Sequence, residues 1–360
     1  MWELEHPAAF AQALVQQAAR HPAMKSQDAL KLCYQSALGA EHLLADRQAA
    51  IRYFDAEYTA VQPKFEPLAE AIGPQQYRVN LAGCKQAGLP GEWLLQMFLA
   101  SVQQPADPVQ KKEELTACLA QVEAAAQSGK LPFDGAAWQQ KLQQWQAAGG
   151  GPVHHSDAYR SAEAPAYRVV GAQYVRLLPL LIKMAALDAA APGTKVVAID
   201  GRSASGKTTM ARQLAQITGA GVVQMDDFFL PPQLRTPQRY AQPGGNVHHE
   251  RFAQQVLPLL RSGQAFAYQA FDCSTLALGA WRQLPASRWR VVEGAYSCHP
   301  VLGSYMDLRV FADIAPEAQL QRVRRRNGEE QAKVYAEKWI PLEEAYLSEY
   351  QIAAKADLTV

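Results

Sequence analysis

Two regimes of hydrophobic patterning divide this chain. Up to about residue 147, apolar positions recur at intervals of three and four, which predicts helices over 10–19, 29–38, 49–58, 93–102, 113–125 and 138–147. Proline and glycine break the pattern at His21-Pro22, Gly73-Pro74, Leu89-Pro90-Gly91, 105–108 and Gly135. No clear strand run appears in this stretch. Gly149-Gly150-Gly151-Pro152 marks a flexible point, and residues 167–187 read as one amphipathic helix that packs on one domain or joins both. From Lys195 the period changes. Short β-rich runs at 196–199, 221–224, 289–292, 308–311 and 358–360 alternate with helical runs at 208–217, 250–260, 316–326 and 342–354. Such alternation predicts an α/β fold, a parallel sheet with helices on both faces, preceded by a mostly α-helical domain. The expected division is 1–165 helical, 166–194 connecting helix and linker, and 195–360 α/β.

Bulk properties add little beyond this. A chain of 360 residues is long enough for two domains. A net charge of +1 makes no global case for nucleic acid or membrane. No apolar run approaches the roughly 18 residues of a membrane span. The acidic start, Met1-Trp2-Glu3-Leu4-Glu5-His6, does not read as a signal peptide. Five scattered cysteines without a C-x-x-C pair favour a reducing cytoplasm over a disulfide or zinc framework.

The chemistry lies in the second regime. Gly201-Arg202-Ser203-Ala204-Ser205-Gly206-Lys207-Thr208-Thr209 has the spacing G-x-x-x-x-G-K-T, between a run of β-branched residues and a run of helix formers. That context makes it a P-loop (Walker A). Backbone N–H groups turn toward an anion at a helix N-terminus, Lys207 reaches the outer phosphates, and the Thr208 hydroxyl can sit on Mg²⁺. The expected ligands are ATP and Mg²⁺, with Gly201, Ser203, Ala204, Ser205, Gly206, Lys207, Thr208 and Thr209 forming the cradle.

Ligands of open α/β sheets lie at the carboxyl ends of strands. Asp226 and Asp227 leave the second strand there, where a carboxylate can take a proton from an attacking hydroxyl, and Asp226 is a candidate metal neighbour. Glu293, at the tip of the third strand, is the candidate for Mg²⁺. Arg322 and Arg326 share a helical face and are expected to clamp phosphoryl oxygens from a lid, with a hinge at Asn327-Gly328.

These residues resemble the uridine kinase, phosphoribulokinase and pantothenate kinase group of P-loop kinases. The carriers are the loop, Asp226-Asp227-Phe228-Phe229, Val292-Glu293-Gly294 and the arginine helix, within residues 195–360. The Asp-Asp-Phe-Phe run is similar to nicotinamide riboside kinases, and that similarity implies Asp226 as the base. Asn246-Val247-His248-His249 stands where uridine kinases carry a nucleoside-contacting element. Tyr268 and Phe271-Asp272 stand near a second such element. The implied acceptor site therefore holds Asp227, Phe229, His248, His249, Tyr268 and Asp272. The sequence departs from the group at His248, in the Tyr268–Asp272 spacing and at Arg326-Asn327. It stops at Val360 after the last strand, so the loop that packs on adenine is expected to be short or missing.

The resemblance implies an ATP- and Mg²⁺-dependent phosphotransferase with an alcohol acceptor, a nucleoside or ribosyl compound being the first choice. A small molecule with a hydroxyl is the expected partner, nucleic acid and membrane are not, and a homo-oligomer stays open. The alternatives are an ATP-hydrolysing regulatory switch, or a bifunctional enzyme with a second activity in the helical domain. In that domain Glu41, His42, His154 and His155 read as surface and linker residues rather than a metal or acid–base site, since no H-x-x-x-H spacing is present. Tyr53, Phe54, Tyr58, Trp93, Met97 and Phe98 read as core.

Overall fold

The computed structural model describes residues 8–39, 47–102 and 107–360. The chain separates into two compact units, Met1–Ala185 and Ala186–Val360. Glu41 and His42 lie outside the described residues.

The first unit combines helices α1 (Phe10–Arg20), α2 (Ser26–Leu38) and α3 (Arg47–Ala60) with strands β1 (Ala69–Ala71) and β2 (Gln76–Asn80). It continues through α4 (Leu81–Gln86), α5 (Gly91–Val102), α6 (Pro108–Gln127), α7 (Gly135–Ala147), α8 (Asp157–Glu163), β3 (Tyr167–Gly171) and α9 (Ala172–Val175). Helix α10 (Leu178–Ala190) runs across the boundary. Asp107 and Asp134 cap α6 and α7 through their side chains, satisfying backbone N–H groups that those helices leave open.

Two expectations are corrected here. The region contains an antiparallel sheet, β1-β2-β3. The expected 167–187 helix begins instead as a strand, with Tyr77 opposite Val170 and Val79 opposite Arg168. Tyr167–Gly171 thus completes the first unit's sheet, so the expected connecting segment 166–194 is largely part of that unit. Of the expected core aromatics, Phe54, Trp93 and Phe98 are buried with Met97, whereas Tyr53 is 67% exposed.

A chain of buried polar groups crosses this unit. Asp28 pairs with His155 Nδ1 at 2.8 Å, and His155 Nε2 meets the Tyr167 hydroxyl at 2.5 Å. Gln35 Nε2 donates to that hydroxyl at 3.2 Å and its Oε1 accepts from Arg78. Arg78 donates to Gln17 Oε1 at 2.9 Å, and Gln17 Nε2 donates to Glu70 at 2.7 Å. His21 then bridges Glu70 and Glu163, at 3.3 and 3.0 Å. His155 is therefore a buried structural residue rather than a linker histidine.

The second unit opens with β4 (Lys195–Gly201), α11 (Lys207–Thr218) and β5 (Gly221–Gln224). After a 3₁₀ turn at Met225–Phe228 come α12 (Pro237–Tyr240), α13 (His249–Gln255), α14 (Leu257–Leu260) and the hairpin β6 (Phe266–Asp272)–β7 (Ala277–Leu284). Then follow β8 (Trp289–Glu293), β9 (Leu308–Ala312), α15 (Pro316–Asn327), α16 (Glu329–Val334), a π-turn at Tyr335–Trp339, α17 (Ile340–Glu349) and β10 (Leu358–Thr359). Five strands pair in the order β10-β9-β4-β8-β5, and each pairing is parallel. Strands β4 and β8 are buried along their whole length, as their valine-rich runs require in a sheet covered on both faces. The chain moves from β4 to one side through β5 and β8, then crosses to the other through β9 and β10. The reversal lies at β4, which is where ligands of open α/β sheets bind.

Candidate active site

The loop after β4 is shaped by steric necessity. Gly201 has φ +130°, and a Cβ there would lie 2.1 Å from the Ala312 carbonyl oxygen. Gly206, at φ +105°, caps α11, so the first N–H groups of a 12-residue helix open into the loop. Lys207 is buried and its Nζ donates to the carbonyls of Gly201 and Arg202, both at 2.8 Å. The Ser205 hydroxyl oxygen is buried with no protein partner. Thr208 Oγ1 donates to Glu293 Oε2 at 3.3 Å, while Thr209 is exposed on the helix.

Asp226 and Glu293 lie close enough to repel each other. Burial, then the Asp226 charge, pushes the Glu293 carboxyl up to about 7. Crowding by protein atoms also pushes Asp226 upward. Lys207 pulls it down, Asp227 raises it and Arg326 pulls it down. Asp226 nevertheless keeps a solvent-facing surface, as a residue that must meet a substrate requires. Among the described residues no group of three or more His, Cys, Asp or Glu side chains is arranged to hold a metal. A divalent ion here would draw on Thr208, Glu293 and Asp226 and complete its shell with phosphates and water, which is the usual manner of Mg²⁺.

Asp227 points the other way. It is buried, accepts the Tyr268 hydroxyl at 2.7 Å and pairs with Arg282 at 3.3 Å. Its backbone carbonyl accepts from Arg251. Tyr268 also accepts from Gln224 N–H at 3.2 Å, so its hydroxyl is spent inside the protein. Asp272 accepts from the Ser274 N–H and hydroxyl and fastens the hairpin turn. These bonds also hold its carboxyl below the ordinary range. Of the residues read from sequence as acceptor contacts, Asp227 and Tyr268 bond each other inside the protein, and Asp272 holds the hairpin turn. His248 takes a structural post as well: its Nδ1 accepts from Arg251 N–H at 3.0 Å and caps α13.

His249 and Asn246 differ from these. Both are buried, and His249 Nε2 and Asn246 Oδ1 have no protein partner. Burial first, then the positive neighbours His299 and Arg239, push His249 down to about 3, so its ring is neutral. Phe229 and His248 line a pocket of about 460 Å³ with Pro231, Leu234, Phe271 and Leu278. The Phe229 ring lies 6.5 Å from Trp339 of the π-turn.

The arginine helix meets the loop. Arg322 Nη1 donates to the Ala204 carbonyl at 3.2 Å, and Arg326 reaches the Tyr335 hydroxyl at 3.4 Å. Gly328, at φ +84°, separates α15 from α16 at the position expected to be a hinge.

Three participants escaped the sequence reading. Asp200 is fully buried and accepts from the N–H groups of Gly201, Tyr296 and Cys298 and from the Tyr346 hydroxyl. It joins the ends of β4 and β8 to α17. Glu343 bonds Ser203, and Tyr335 stands beside Arg326. The aspartate directly before the first motif glycine was a readable signal for Asp200. Nothing local marked the other two.

Five parallel strands, with the glycine-rich loop leaving the central one, make the α/β fold of a P-loop domain. No family model matches the chain, and no curated protein matches it. Among solved structures, a possible uridine kinase from Bacillus stearothermophilus is similar at 23% identity, covering 47% of this chain and 89% of that one with a TM-score of 0.34. A candidate fructose transport system kinase from Silicibacter sp. TM1040 is similar at 26% identity, covering 47% and 91% with a TM-score of 0.38. No helix among the described residues is long and apolar enough to cross a membrane.

Proposed function

We propose that the second unit is an ATP- and Mg²⁺-dependent kinase that phosphorylates a hydroxyl of a small molecule. The observation that carries the reading is the placement of Asp226. It is a solvent-reached carboxylate at the end of β5, coupled electrostatically to Lys207 of the loop and to Arg326. Bound ATP with Mg²⁺ would supply the phosphoryl group and part of its charge neutralisation. The chain's own residues do the rest. The loop N–H groups and Lys207 hold phosphate oxygens, and Thr208 and Glu293 hold the ion. Asp226 takes the proton from the attacking hydroxyl, and burial together with Asp227 makes its carboxylate more basic than an ordinary one. Arg322 and Arg326 place fixed positive charge over the site and screen it from water.

For the acceptor, a nucleoside or ribosyl compound remains the first choice. What supports a hydroxyl-rich acceptor is the pair of unpartnered buried atoms, Asn246 Oδ1 and His249 Nε2, since such atoms cost free energy until a ligand satisfies them. The test is ADP formation by the full chain over a panel of nucleosides, ribosides and sugars, with product masses read in parallel. Turnover that rises strongly with one acceptor, with a mass gain of one phosphate, supports the kinase. ADP release indifferent to every acceptor overturns it.

A further inference from the structure

The phosphate loop is stitched to the lid arm residue by residue. Arg202 Nε donates to Glu344 at 2.6 Å. The Ser203 N–H and hydroxyl donate to one oxygen of Glu343 at 2.9 and 2.7 Å. The Ala204 carbonyl accepts from Arg322 at 3.2 Å. Three consecutive loop residues are thus held by α15 and α17, with α16 and the π-turn lying between those two helices in the chain. Gln319 of α15 closes the group, with Nε2 at 3.4 Å from the Ser203 hydroxyl and 3.5 Å from Glu343. Glu343 and Gln319 are 7% and 1% exposed.

A buried carboxylate is a costly way to fill space beside a loop meant for anions. A methionine would pack there without the negative charge. Its use makes sense if its hydrogen bonds matter more than its charge costs. Ser203 precedes the residues whose N–H groups face the phosphates, so whatever fixes the Ser203 peptide fixes the curvature of the loop behind it.

We propose that Glu343 is a positioning residue for nucleotide binding: it sets the loop through Ser203 and couples loop geometry to the lid arm that carries Arg322 and Arg326. This rests on the nucleotide-binding reading of the loop. Glu343 touches neither acceptor nor reacting atoms. Its loss acts on nucleotide affinity, leaving the KM of the acceptor near the wild-type value.

The test measures ADP binding to the full chain by titration calorimetry, with thermal unfolding followed alongside. Glu343→Met keeps the packing and removes the acceptor oxygens. It should weaken ADP binding about tenfold or more, the scale of a lost hydrogen bond to a charged group. Glu343→Gln keeps an oxygen for Ser203 and should restore affinity to within about threefold of wild type, by the same reasoning. Combined with Arg322→Ala, Glu343→Met should cost less than the sum of the two single losses, because both act through adjacent loop residues. Wild-type affinity in a folded Glu343→Met protein overturns the proposal, and so does an equal loss in Glu343→Gln. A wild-type chain that binds neither ADP nor ATP overturns the nucleotide reading itself.

Discussion

The Tyr268 hydroxyl donates to the Asp227 carboxylate across 2.7 Å, and this bond gives two adjacent aspartates different work. Asp227, with Arg282 on its other side, anchors the β6–β7 hairpin. Asp226, one residue earlier, is left to face solvent and Lys207. Asp226→Asn is expected to lose about 100- to 10,000-fold in phosphoryl transfer while binding ADP normally. Asp227→Asn is expected to lower stability by about 1–3 kcal/mol, since it leaves buried partners unsatisfied. Steady-state turnover and thermal unfolding on both variants separate these outcomes. Normal turnover in Asp226→Asn would remove the base assignment.

Gly201 offers a steric test. An alanine there must hold φ near +130° and place its Cβ 2.1 Å from the Ala312 carbonyl. The backbone strain alone is about 1–3 kcal/mol, and the collision forces β4 and β9 apart or the loop out of shape. Gly201→Ala should lose ADP binding, whereas Gly303→Ala, with φ +71° and no heavy atom near the added Cβ, should retain it. Calorimetric titration of both decides the matter.

Arg322 and Arg326 should divide the kinetic parameters. Arg326 lies within electrostatic reach of Asp226, so Arg326→Ala should depress kcat more than the KM for ATP. Arg322 touches the loop itself, so Arg322→Ala should raise the KM for ATP as well. Identical, near-wild-type parameters in both variants would place these side chains outside the chemistry.

Acidification should remove a histidine contribution to the stability of the second unit, while protonation of Glu293, whose carboxyl is pushed up to about 7, works in the opposite sense. His248, His249 and His299 all sit below the ordinary histidine value of 6.5, chiefly through burial, with His249 near 3. Between folded and unfolded values the unfolded chain binds more protons, so stability rises with pH there. The contribution is intact above about pH 6.5 and is lost as pH falls toward 3. Scanning calorimetry from pH 7 to pH 5, followed on the transition that ADP shifts upward, should show that acid lowers its temperature less in His249→Asn than in the wild-type chain. The same pH dependence in His249→Asn and the wild-type chain would contradict this.

What could be read beforehand followed from locality. The loop 201–209 carries its meaning in spacing and immediate flanks, and the β-rich runs of the second unit mark strands buried on both faces. Tyr167–Gly171 misled because Val169, Val170, Tyr174 and Leu177 fit a helical period once joined to the apolar run of α10. Only pairing with β2, nearly ninety residues away, makes the segment a strand. The β6–β7 hairpin was hidden for the opposite reason: β7 is exposed over most of its length and shows no alternation. Glu343 and Tyr335 could not be found locally. Glu343 meets Ser203 only when α17 lies beside the loop after β4, and Tyr335 meets Arg326 only across the turn between α15 and α16.

The buried polar chain of the first unit runs through α1, α2, β1, β2, β3 and α8 without ending on an unpaired group. Removing any one of these elements would strand a charged or amide partner in the interior, so partial opening is penalised nearly as heavily as complete opening. The unit should consequently behave as one foldon, with amide protons of α1, α2 and β2 exchanging at a shared slow rate rather than fraying helix by helix.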